Sequence, residues 1–324
     1  MTDTIIPQIV NIELTNRCNL ACIFCDHPTL QKKMVLTDFD TGLLKKLLGS
    51  FKPKEIYEIG LVGLGEPLLD KKLYDHLDVI GAYSNLFKRI SMNSNGVTLS
   101  LKASELILDS CINLITFSLN ATNRNSYKKL MKKDLFDIVV KNIRNFLELR
   151  KNKRKKINVS IQFMSSRLNK QKEMEELFSE YLDADTLVYN RYVFNKPVIN
   201  NSKKQLIDIN RIETLERHPC WSIYSRVYID VKGNVYPCTI GNDSYRETSS
   251  MNLGNINKND LIDIFNSEPI KNAREKSEKC DLAFQECMDC TLWELFPNNF
   301  KLQYGRWKQN NDIIIRKKNM NRLD

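Results

Sequence analysis

From residue 8 to 191, apolar runs of strand length alternate with stretches in which apolar residues recur every three or four positions. That rhythm predicts consecutive βα units and a parallel sheet, an α/β fold. Strands are predicted at Gln8–Thr15, Ile56–Val62, Arg89–Asn93, Ile112–Leu119, Ile157–Phe163 and Thr186–Tyr192. Six strands fall short of a closed eight-fold barrel. Phe39, Leu43, Leu47 and Leu44, Leu48, Phe51 mark one buried helical face, and Met174, Leu177, Phe178, Tyr181 and Leu182 another. Thr37 and Asp40 have capping-box spacing for the first helix, so residues 16–36 form a long loop after the first strand. In parallel βα architectures, chemistry collects on such loops at the carboxyl ends of strands.

Beyond about residue 195 the rhythm stops. Arg226–Asp230 and Asn234–Pro237 read as a hairpin around Lys232-Gly233, where a tight turn needs a residue tolerant of positive φ. A short helix is predicted at Asp260–Ser267, and a boundary falls near 195–215. The expected organisation is a first domain over 1–200, a small cysteine-rich domain over 201–300 and a tail over 301–324. Trp293, Phe296, Phe300, Tyr304 and Trp307 in the last segments read as a surface packed onto the body.

Length and composition then narrow the class. The chain has 324 residues, 42% of them hydrophobic, and a net charge of +10, which excludes collagenous, disordered and coiled-coil proteins. The N-terminus lacks a secretory pattern and no apolar run reaches membrane-spanning length, so a soluble, cytoplasmic protein without a membrane partner is expected. The densest basic run, Arg150 to Lys156, reads as a solvated helix end near the negative pole of the macrodipole. No aromatic residue interleaves it, which disfavours nucleic acid.

The nine cysteines sit at 18, 22, 25, 111, 220, 238, 280, 287 and 290. In a cytosolic chain such clustering argues for metal or cluster ligation over disulfides. Cys18, Cys22 and Cys25 supply three thiolates from one loop, suited to three corners of an iron–sulfur cube and leaving the fourth iron open. A zinc site is the alternative.

The spacing of Cys18, Cys22 and Cys25, with Phe24 just before the third, resembles the radical S-adenosylmethionine (SAM) superfamily. Gly63-Leu64-Gly65-Glu66-Pro67 after the second strand resembles that family's Gly-Gly-Glu-Pro element, with Leu64 where glycine is common. Asn93-Ser94-Asn95-Gly96 after the third strand resembles its Thr-Asn-Gly turn, and Ser118 and Asn120 end the fourth strand where relatives contact SAM. Taken singly, these turn motifs are weak signals; here they follow in order at successive strand ends. The resemblance spans about residues 8–192 and implies a partial (β/α)6 TIM-like barrel. It implies a [4Fe–4S] cluster on Cys18, Cys22 and Cys25, and SAM bound beside Phe24, Gly65, Glu66, Asn95, Ser118 and Asn120.

Cys220 and Cys238 around the hairpin, with Cys287 and Cys290 on a later knuckle, resemble the auxiliary-cluster region of SPASM/twitch proteins. The shorter twitch form fits best, because no cysteine follows Cys290. The resemblance implies a second [4Fe–4S] cluster on these four residues, with a zinc knuckle as the alternative; Cys280 is left over. Cys111 reads as a small core hydrophobe. His27, His76 and His218 form no triad or metal spacing, and solvation in the loop accounts for His27.

By resemblance, the chemistry is reductive cleavage of SAM to a 5′-deoxyadenosyl radical, then hydrogen abstraction from a substrate. A fully thiolate-ligated auxiliary cluster suits removal of an electron, hence net oxidation of a small polar metabolite of sugar or aminocyclitol type. A ribosomally made peptide is the alternative substrate. The few residues before the first strand leave no room for the peptide-binding domain many peptide-modifying relatives carry. A flavodoxin- or ferredoxin-type electron donor is implied. A non-enzymatic cluster or zinc scaffold, binding a partner through its basic face and aromatic tail, predicts no SAM binding.

Overall fold

In the computed structural model, residues 4–191, 219–238, 249–288 and 290 are described. The six predicted strands all form: β1 (Ile9–Ile12), β2 (Glu58–Leu61), β3 (Arg89–Ser94), β4 (Leu114–Ser118), β5 (Asn158–Met164) and β6 (Thr186–Arg191). They pair in parallel and in sequence order. The hairpin forms as β7 (Arg226–Ile229) and β8 (Asn234–Tyr236), and a short β9 (Gly254–Asn255) follows. Rather than standing apart, β7 pairs in parallel with the free edge of β1, Ile9 opposite Arg226 and Ile12 opposite Ile229. One nine-stranded sheet results, in the order β6-β5-β4-β3-β2-β1-β7-β8-β9, an unclosed barrel with β6 and β9 at its edges.

The two faces of the first five strands differ in chemistry. Val10, Ile12, Ile59, Leu61, Ile90, Met92, Ile115, Phe117, Val159 and Ile161 are buried together with helical residues; Phe117 meets Phe146 edge-on at 5.2 Å. The alternate positions carry polar groups in register: Asn11 beside Gly60 and Ser91, Asn93 beside Thr116 and Ser160, Ser118 beside Gln162 and Tyr189. Side chains alternate between faces with a period of two, so this polar set lies away from the covering helices.

Those helices are α1 (His27–Leu30), α2 (Thr41–Gly49), α3 (Leu73–Ala82), α4 (Leu101–Asp109), α5 (Arg124–Met131), α6 (Phe136–Asn152) and α7 (Gln171–Leu177). The expected stripe on α2 is buried, with Leu43, Leu44, Leu47 and Leu48 against the core. Its N-cap is Asp40, whose Oδ1 accepts the Leu43 amide at 2.7 Å, and not Thr37. Thr37 instead donates its amide to Asn16 Oδ1 at 2.7 Å, because closing the cysteine loop competes for it. Arg150 corrects the reading of the basic run: it is buried, bonding Asp183 at 2.5 Å, Thr186 at 2.9 Å and the Ile157 carbonyl at 3.3 Å. Lys153 and Lys155 both pair with Asp109.

In the C-terminal part, α8 (Ser222–Ser225) leads into β7; the helix predicted at Asp260–Ser267 forms as α9 (Leu261–Phe265), and after a break a further helix follows, α10 (Glu268–Glu278). Pro269 explains the break, since it sits in the first turn of α10, where its missing N–H costs nothing. Gly233 has φ of +83° in the hairpin turn, as predicted. The boundary near 195–215, His218, the aromatic residues from Trp293 onward and the tail lie outside the described residues.

Candidate active site

The cysteine loop is closed at its base by short-range bonds. Asn16 donates Nδ2 to the Val35 carbonyl at 2.9 Å, and Arg17 pairs with Asp38 and reaches the Leu36 carbonyl at 3.1 Å. His27, in α1, sets its Nε2 2.8 Å from the Asn16 carbonyl and is buried. It is therefore a latch inside the loop and not solvated, and burial lowers its pKa. On the far side, Ala21 and Ile23 donate their amides to the Met131 and Leu130 carbonyls at 3.4 and 2.9 Å. The end of α5 thus holds the backbone on both sides of Cys22.

The loop after β2 is pressed against the start of this loop. A Cβ at Gly65 would lie 1.9 Å from the Thr15 carbonyl oxygen, so only glycine fits. The Glu66 amide donates to the Arg17 carbonyl at 2.7 Å. The Glu66 side chain is buried and turns toward the β3 end, where Oε1 accepts from Ser94 Oγ at 2.8 Å and Oε2 from the Asn95 amide at 2.7 Å. Burial raises its pKa to about 7. Asn95 continues the chain. Its Oδ1 accepts the Val97 amide at 3.0 Å, which fixes the amide's orientation, and its Nδ2 donates to Asn19 Oδ1 at 2.8 Å. Glu66, Asn95 and the cysteine loop are thereby one connected unit.

Cys18 and Cys22 are held as thiols by burial, Cys18 up to about 12 and Cys22 well above its ordinary value; the nearby Cys25 and Glu66 push in the same direction. Ionising three thiols beside a carboxylate without a cation is electrostatically unfavourable, and a positively charged iron centre relieves it. Among the described residues no three His, Cys, Asp or Glu side chains close around a single ion. Three cysteines that each take a different iron of a cube need no such convergence, whereas tetrahedral zinc does. Asn19 Nδ2 is a buried donor without a partner. The residues therefore fit a cluster with a ligand beside it.

Phe24 is half-buried against the core. Ser118 and Asn120 end β4 on the polar face. Asn120 takes φ of +61°, donates to the Ser118 carbonyl at 3.2 Å and accepts from Gln162 Nε2 at 3.3 Å. Gln162 Oε1 in turn accepts the Tyr189 hydroxyl at 2.8 Å.

The second cysteine group occupies three segments. Cys220 precedes α8 and donates its amide to Ser277 Oγ in α10 at 2.9 Å; burial raises its thiol pKa. Cys238 follows β8 and is buried. Cys287 and Cys290 share one turn, the Cys290 amide reaching the Cys287 carbonyl at 3.3 Å. Cys280 is exposed with φ of +61°, and Cys111 is half-buried against the core.

Sequence reasoning passed over Glu13, Asn19, Tyr127 and the polar face. Glu13 is buried just past β1. It accepts the Leu64 and Gly65 amides at 2.9 and 3.3 Å and the Val231 amide at 3.4 Å. The alternation of Asn11, Ser91, Thr116, Ser160 and Gln162 with apolar neighbours was the available signal, because helix-covered parallel strands otherwise read as continuous apolar runs.

Comparison with known proteins agrees with this geometry. Residues 12–163 match the radical SAM superfamily and residues 220–291 an iron–sulfur cluster-binding domain, SPASM. The chain belongs to the radical SAM superfamily and carries a C-terminal auxiliary-cluster domain. Its cofactors are SAM, a SAM-binding [4Fe–4S] cluster and an auxiliary cluster. It is 25% identical over 302 residues to molybdenum cofactor biosynthesis protein 1 of Dictyostelium discoideum, covering 81% of this chain and 46% of that protein. A probable GTP 3′,8-cyclase of Methanocaldococcus jannaschii is 29% identical over 142 residues, covering 43% of this chain and 45% of that protein. The chain thus spans about half the length of these relatives. The fold is shared with BtrN in complex with AdoMet and 2-DOIA (TM-score 0.54, 17% identity, 84% of this chain and 87% of that one). It is shared too with Streptococcus suis SuiB bound to its precursor peptide SuiA (TM-score 0.55, 15% identity, 89% and 70%). No helix among the described residues is long and apolar enough to cross a membrane.

Proposed function

We propose that this radical SAM enzyme oxidises a small polar metabolite of sugar or aminocyclitol type. The observation that carries this reading is the polar face of the sheet, where Asn11, Ser91, Thr116, Ser160 and Gln162 are buried away from the helices. Ser91 and Gln162 already bond within the protein, to Glu58 and to Asn120 and Tyr189; a row of such polar groups along one face of the strands suits a substrate rich in hydroxyl or amino groups. The likeness in fold to BtrN, nearly complete in both chains, supports the same class.

In this reading Cys18, Cys22 and Cys25 hold the SAM-binding cluster, and Cys220, Cys238, Cys287 and Cys290 the auxiliary one. When bound, these groups supply one-electron cleavage of SAM to a radical that takes a hydrogen atom from substrate, and an acceptor for the second electron. The protein's part is orientation and exclusion of water. Gly65 lets the β2 loop approach the cysteine loop, while Glu66 and Asn95 fix the wall beside it. Phe24, Ser118 and Asn120 border the space for SAM. An alcohol oxidised to a carbonyl loses one hydrogen atom, one proton and one electron. The electrons that start each turnover come from a flavodoxin- or ferredoxin-type donor.

The test is anaerobic incubation of the reconstituted, reduced protein with SAM and a panel of aminocyclitols and amino sugars. The expected result is substrate-stimulated 5′-deoxyadenosine and a product lighter by two hydrogens. Stimulation by a peptide alone would replace this reading with peptide modification, which the likeness in fold to SuiB favours.

A further inference from the structure

Among the groups round the first cysteine loop, Tyr127 has no assigned task. It is fully buried in α5, and its hydroxyl has no hydrogen-bond partner. A buried hydroxyl left unpaired is destabilising. Its surroundings identify what would pair with it. Tyr127 lies one turn before Leu130 and Met131, the last residues of α5, and the Leu130 and Met131 carbonyls accept the amides of Ile23 and Ala21, so the end of this helix holds Cys22 about one turn from Tyr127. Burial above all holds its proton on, with Cys22, Cys18 and Glu66 adding to the effect in that order. A protonated phenol is a donor, and cysteine sulfur once bound to iron is an acceptor. Its ring is fixed by Phe136 at 6.0 Å, edge-on.

We infer that the Tyr127 hydroxyl donates a hydrogen bond to sulfur at the SAM-binding cluster, on the Cys22 side, and thereby raises that cluster's reduction potential. Hydrogen bonds to cluster sulfurs withdraw electron density and favour the reduced state. Tyr127 is thus a positioning and tuning residue, acting through the cluster and not on substrate. The inference rests on the ligand reading for Cys18, Cys22 and Cys25.

The test compares the full-length native protein with Tyr127→Phe, both reconstituted anaerobically. Iron content is measured first, then the midpoint potential of the cluster whose electron paramagnetic resonance signal SAM perturbs. The expected result is unchanged iron, a potential shifted to more negative values, and loss of one exchangeable proton coupling at that cluster. Phe136→Leu, which alters the ring contact and leaves the hydroxyl, is expected to leave the potential unchanged. An unchanged potential in Tyr127→Phe, or an equal shift in Phe136→Leu, would overturn the inference while the ligand reading stands. A native protein that assembles no SAM-perturbed cluster would overturn both.

Discussion

Glu13 and Val231, 218 residues apart in sequence, meet where the Val231 amide donates to Glu13 Oε2 at 3.4 Å. The other oxygen of the same carboxylate accepts the Leu64 and Gly65 amides. One side chain therefore joins the end of β1, the glycine loop after β2 and the hairpin turn after β7, so the part bearing the auxiliary cysteines is tied to the part bearing Cys18, Cys22 and Cys25.

Glu13→Ala strands three backbone donors. It is expected to lower stability by about 1–3 kcal/mol, read from denaturant unfolding, and to weaken SAM binding through the displaced Gly65 loop. Unaltered stability and SAM affinity would show that Glu13 carries no such tie.

Gly65→Ala sets a methyl group against backbone at Thr15. A loss of about 1–3 kcal/mol and loss of SAM affinity by calorimetry are expected. Gly81→Ala is the control, because nothing lies within 4 Å of a Cβ there. In α3 that change should raise stability by up to about 1 kcal/mol.

Iron per chain separates the two cysteine groups. About eight irons are expected in the reconstituted native protein, falling to about four when Cys18, Cys22 and Cys25 are replaced by Ala together. Replacing Cys238 and Cys287 should likewise leave about four, with the SAM-perturbed signal intact. Loss of both signals in either variant would mean that the two sites do not assemble independently.

Asp230 offers a dependence on pH. It is buried in the hairpin, accepting the Lys232 and Asn234 amides and the Tyr236 hydroxyl, and burial raises its pKa above the ordinary 3.8. The folded state then binds the proton more tightly than the unfolded chain, so ionisation costs stability. The stability of the native protein relative to Asp230→Asn should fall as pH rises from 3.8 through the raised value, then level. A difference that does not vary with pH would remove Asp230 as the source.

Much of the molecule was legible without coordinates. Strand positions follow from apolar runs, the loop after β1 from the gap before the first helical stripe, and the two cysteine groups from their spacing, since each is a property of neighbours along the chain. Local competition accounts for some departures: Thr37 has a cap's chemistry, yet its amide is taken by Asn16, and Asp40 serves instead. Arg150 looks like a solvated cation until Asp183 and Thr186 are brought across from the β6 end to meet it. The same limit applies to Glu13 and Tyr127, ordinary residues in ordinary sequence contexts, whose roles depend on partners supplied by distant segments. Local pattern and spacing determined the elements, the grouping of the cysteines and the superfamily. Only tertiary structure decided that β7 joins β1, that alternate polar positions line one surface, and which buried polar groups pack around the cysteine loop. Those outcomes depend on contacts between residues far apart in the chain, and no local pattern encodes them.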